Sequence, residues 1–151
     1  MTEDAAAGDG SIWTRLRDAP ISVRLYLVAA VALGSTALYG GGNLIADPTG
    51  GSLAMDTTML DGTPFASFLV PGLVLFTVLG IGSLVTVVLI GLHHRMEWVA
   101  SLGLAVALIG WITVQVALLG GVHWLHVLYG GLGVAMTLLS LAPSMRADLG
   151  T

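Results

Sequence analysis

The chain has 151 residues, of which 56% are hydrophobic and 9% charged, with a mean hydropathy of +0.93. Soluble domains carry about 25% charged residues, so this composition excludes a water-soluble globule of this size and demands lipid as the solvent. All five basic residues are arginine, the formal net charge is −4 and cysteine is absent, which leaves no basic patch for nucleic acid and excludes disulfides, thiolate metal sites and a cysteine nucleophile.

Residues 1–10 are small and acidic, a composition that predicts disorder. Ser11–Asp18 reads as a short interfacial helix, with Trp13 and Leu16 toward lipid and Arg15 and Arg17 toward phosphates. A membrane-crossing helix needs about 20 mostly apolar residues, and four stretches supply them: Ile21–Gly42, Phe65–Leu92, Trp98–Leu119 and Val122–Leu141. The first is too long for the core of a signal peptide and reads as a retained span. The second would run about 42 Å as a straight helix, which predicts tilt or protrusion, with a kink at Pro71-Gly72. The expected fold is therefore an all-α, up-down four-helix transmembrane bundle. Residues 1–20 and 144–151 flank it as tails.

Between the first two spans, Asp47-Pro48-Thr49-Gly50 reads as a turn. Asp56 to Leu60 reads as one helical turn capped by Asp56 and stopped by Asp61-Gly62, with Thr63-Pro64 as the N-cap and first residue of span two. Arg15, Arg17 and Arg24 precede span one, Arg95 lies between spans two and three, and Arg146 follows span four. The other two loops contain no basic residue. Under the positive-inside rule this puts both termini in the cytoplasm of a multi-pass plasma-membrane protein.

Helices in lipid associate through small residues that allow close backbone approach. Such stripes occur at Ala30, Gly34, Ala37 and Gly41 in span one, and at Gly72, Gly80 and Ser83 in span two. Span three offers Ala100, Gly103 and Ala107, and span four offers Gly130, Gly133, Thr137 and Ser140. The same faces suit a homo-oligomer or another membrane-protein partner, beside the bilayer itself.

Candidates for chemistry are few. Gln115 and His126 lie equally far from the Gly120-Gly121 turn, and Trp111 shares a face with Gln115. Lipid satisfies none of these polar groups, so Trp111, Gln115, His123 and His126 are expected to form a small polar cluster with a Gln115–His126 hydrogen bond. His123 and His126 also have the i, i+3 spacing of a metal or haem pair, but no other span carries a histidine to face them. His93-His94-Arg95 reads as the cationic close of span two, and Asp47, Asp56 and Asp61 match no calcium-loop spacing. No catalytic residue, cofactor or metal is expected.

Asp47-Pro48-Thr49-Gly50, Gly62-Thr63-Pro64-Phe65, Pro71-Gly72 and Trp111-Ile112-Thr113-Val114-Gln115 together resemble a pattern in small four-span integral membrane proteins of prokaryotes, themselves an uncharacterised group. The resemblance covers 44–129 and implies the four-span topology, with no catalytic or binding residue. The leading expectation is a non-enzymatic structural, accessory or partner-binding membrane protein. A small oligomeric channel or facilitator for a neutral or weakly polar solute is the alternative, and a histidine-based cofactor protein is third.

Overall fold

The computed structural model describes residues 12–150, and within them every regular element is helical. In chain order these are α1 (Ile12–Asp18), α2 (Ile21–Ala46), α3 (Leu69–Gly91), α4 (Glu97–Leu119), α5 (Trp124–Leu141) and α6 (Pro143–Leu149). The helices α2 to α5 are each long and apolar enough to cross a membrane. They form a closed ring in which α2 packs on α3, α3 on α4, α4 on α5 and α5 back on α2. The expected disorder of residues 1–10 lies outside the described residues.

Close approach is greatest between α2 and α3. A Cβ on Gly41 would lie 2.7 Å from the Phe76 amide nitrogen and 2.9 Å from the Gly72 carbonyl oxygen. A Cβ on Gly34 would meet the Ser83 side chain at 2.9 Å, and one on Gly72 would meet Leu44 at 2.7 Å. The small stripes of spans one and two are thus the contact itself. In α4 the expected stripe holds only in part: Ala107 packs against the core, but Gly103 faces outward. Nothing lies within 4 Å of a Cβ on Gly103, and the buried face is Ser101, Leu104, Ala105 and Leu108. The Tyr26 hydroxyl donates to the Ser101 carbonyl at 2.6 Å, which fixes the rotation that turns Gly103 outward. In α5, Gly133 meets Ile109 as a close neighbour.

Span two also departs from expectation at its start. The helix begins at Leu69, because Phe65 and Phe68 are drawn into a separate cluster with Leu44, Leu60, Leu53 and Met55. The Phe68 amide donates to the Pro48 carbonyl at 2.9 Å. Thr63 is no cap for α3; its hydroxyl donates to the Leu60 carbonyl and accepts from the Phe65 amide. Pro71 falls in the first turn of α3, where its missing N–H costs no helical hydrogen bond. The irregularity comes one turn later as a π-helical stretch, Leu75–Ile81. It lies beside α2, where the backbones are closest.

The 47–68 segment folds as a lid over one end of the ring. Asp47 builds its first turn, accepting from the Thr49 hydroxyl at 2.6 Å and the Ser52 amide at 2.9 Å. Asp56 caps the 3-10 turn Thr57–Leu60 by accepting from the Thr58 amide. These hydrogen bonds to Thr49 and Thr58 hold both carboxyls below the usual carboxylate range. At the opposite end α3 closes in a Schellman motif, with His94 N–H on the Leu89 carbonyl, His93 N–H on that of Ile90, and His93 left-handed at φ 52°. The segment read as a C-terminal tail forms α6 there, with Met145 and Leu149 buried.

Candidate functional site

The expected polar cluster divides in two. Among the described residues no hydrogen bond joins Gln115 to His126. Instead His126 Nδ1 accepts from the His123 amide at 3.0 Å, and His123 Nδ1 accepts from the Leu125 amide at 3.5 Å. This is a capping arrangement at the start of α5, which leaves four orphan amides to satisfy. It commits Nδ1 of both imidazoles to backbone donors at the start of α5. Trp124 stacks obliquely on His123, with ring centroids 5.8 Å apart. No group of three or more metal-ligating side chains occurs among the described residues.

Trp111 and Gln115 line a cleft of about 70 Å³ beneath the lid. Leu60, Phe65 and Phe68 form its lid side, and Leu75, Trp111 and Gln115 line its bundle side. The cleft is the seam between two hydrophobic clusters, the lid's and the bundle's. Its only other polar wall residue is Thr63, whose hydroxyl is already engaged within the lid. Among the described residues the Trp111 indole and the Gln115 amide, one turn apart on α4, have no hydrogen-bond partner, and both residues are half-buried.

At the termini end lies a polar layer that the sequence reading did not assemble. Arg15 turns inward rather than toward phosphates, and its side chain is 7% exposed. Its Nη2 donates to Glu97 Oε2 at 3.3 Å and to Asp148 Oδ2 at 3.4 Å, while Nε and Nη1 are buried with no partner among the described residues. Leu16, expected toward lipid, packs on the core; Trp13 does face outward. Around this triad the Trp98 indole donates to the Ser140 carbonyl at 2.9 Å, and the Arg146 guanidinium lies 5.7 Å above the Trp98 ring. Ser22 and Ser144 share a hydrogen bond of 2.8 Å. The signal was Glu97, a lone acid at the first turn of an apolar span, which needs a cation when buried.

The stripe of hydroxyls in α5 is spent inside its own helix. Thr137 donates to the Gly133 carbonyl and Ser140 to that of Met136, both at 2.8 Å. These residues define a four-helix bundle of membrane-spanning type. Comparison with protein-family models, with curated proteins and with solved structures returned no match.

Proposed function

We propose that this protein is a non-enzymatic membrane component whose role is to bind a partner, either a second copy or another membrane protein, through the outer face of the α4–α5 hairpin. The observation that carries this reading is the openness of that hairpin. In α2, 39% of the apolar window is buried, against 17% in α4 and in α5. On α4, Gly103 and Gly110 lie seven residues apart on one face, and nothing within 4 Å would meet a Cβ on either. Exposed backbone at glycines is what a partner helix needs for close approach in lipid. The channel reading draws less support, because the α5 hydroxyls that could line a path are bonded to their own helix.

We further assign both termini to the cytoplasmic side of a prokaryotic plasma membrane. The support is that Arg15, Arg17, Arg24, Arg95 and Arg146 all cluster at the α1–α6 end, while the lid carries Asp47, Asp56 and Asp61 and no arginine.

The absence of cysteine makes the test clean. Gly103→Cys and Gly110→Cys, oxidised in native membranes, should each give a disulfide-linked dimer or a cross-link to one other membrane protein. Val28→Cys, exposed on α2 instead of the hairpin, should give far less. Only uncross-linked monomer from both glycine positions, with pull-down recovering the chain alone, would sink the proposal.

A further inference from the structure

We propose that one anionic glycerophospholipid binds at the junction of α1 and α2. Arg17 and Arg24 hold its headgroup phosphate, and an acyl chain lies along Ile21, Leu25 and Val28. The site is on α2 and is independent of the partner-binding reading, which concerns the α4–α5 hairpin.

Charge is the first argument. Arg17 and Arg24 are exposed, and among the described residues neither side chain has a hydrogen bond or an ion pair. Asp18, exposed and between them in sequence, pairs with neither. The ion pairs among the described residues both belong to Arg15, which takes up Glu97 and Asp148. Two guanidinium groups are thus left at the junction without a protein counter-ion. A phosphate matches the planar fork of a guanidinium in two-point contact. A headgroup with its own ammonium would bring a third cation beside these two, so repulsion selects one of net negative charge.

Depth is the second. Arg24 shares an exposed stripe with Ile21, Leu25 and Val28, while Val23, Tyr26, Leu27 and Ala30 face the core. An arginine on that stripe stands among lipids. With 26 residues, α2 is about 39 Å long, about 9 Å more than the hydrocarbon layer of a bilayer. Centred across that layer, α2 places Arg24 about 15 Å from the midplane, at the hydrocarbon edge. From there the side chain reaches outward to the phosphates, and its methylenes stay in the apolar layer.

The placement of α1 is the third. Arg15 is held by Glu97 and Asp148, Leu16 packs on the core and Ala19 is buried. The helix therefore presents Trp13 and Arg17, one turn apart, on its exposed side. An indole beside an arginine suits the level where helices meet headgroups. Only Ala19 and Pro20 separate the two helices, which keeps Arg17 and Arg24 at one corner of the ring. The positive-inside rule asks only that arginines share a side; it does not leave two of them unpaired at one corner.

Native mass spectrometry of the full chain tests the site. The protein is reconstituted in vesicles of equal parts palmitoyl-oleoyl phosphatidylcholine and palmitoyl-oleoyl phosphatidylglycerol, then re-extracted in mild detergent. The wild type should retain one phosphatidylglycerol per chain, in excess over phosphatidylcholine. Arg17→Gln and Arg24→Gln should each lower the retained ratio of the two lipids about fivefold, the worth of one arginine at an anionic surface. Arg95→Gln removes the same charge from the exposed α3–α4 turn and should leave the ratio unchanged. Excess inorganic phosphate should not displace the lipid, because it has no chain to lie on α2. No enrichment of phosphatidylglycerol in the wild type, its displacement by inorganic phosphate, or an equal fall for Arg95→Gln and Arg24→Gln would overturn the site.

Discussion

A single nitrogen, Nη2 of Arg15, serves two carboxylates, while Nε and Nη1 of the same guanidinium are buried with no partner among the described residues. Breaking such an arrangement on one side costs more than forming it gains, because the remaining charge stays desolvated. Arg15→Ala would leave the Glu97 side chain, 6% exposed, facing Asp148 with no cation between them, and should destabilise the bundle by about 3–5 kcal/mol. Asp148→Asn should cost much less, since that side chain is 29% exposed. The double change Arg15→Met with Glu97→Gln should recover most of the loss, since no unpaired charge is left buried between the two positions. Denaturant unfolding in micelles measures all three. A loss below about 1 kcal/mol for Arg15→Ala, the worth of a solvated surface pair, would show that the triad is open to water.

Among elements, packing separates two glycines that look alike in sequence. Gly41→Leu forces a side chain against the backbone of α3 and should cost about 1–3 kcal/mol from overpacking. Gly103→Leu meets open space and should leave the detergent-solubilised monomer unharmed, or stabilise it by up to about 1 kcal/mol through helix propensity. Equal melting of the two variants would mean that the α2–α3 seam is not close-packed.

The elements themselves were largely legible in the residues. Hydrophobic length placed all four spans, and the Asp47 and Asp56 turns followed from side chains whose oxygens reach amides two or more residues ahead. What stayed hidden was rotation and capture. An apolar helix gives no periodic signal for which face is inside, so composition alone points Gly103 inward, whereas the Tyr26–Ser101 bond holds α4 with Gly103 outward. Phe65 and Phe68 read as span, because nothing local says that Leu44 and Leu60 will claim them. The site was legible only in part. Trp111 and Gln115 stand out as polar groups on an apolar helix, but their partner was sought on α5, whereas His126 is engaged by the local needs of a helix start.

For the whole molecule, the arrangement is a ring of four helices closed at one end by a lid and at the other by two short helices around Arg15. In the proposed orientation that ring sits across a membrane with α1 and α6 on one side and the lid on the other. Single cysteines at Asp18, Ser52 and Ala147, all exposed positions in a chain that has no cysteine of its own, report sidedness directly with a membrane-impermeant maleimide. Ser52→Cys should be labelled in intact cells, while Asp18→Cys and Ala147→Cys should be labelled only after permeabilisation. Labelling of Ser52→Cys and Ala147→Cys from the same side would contradict it.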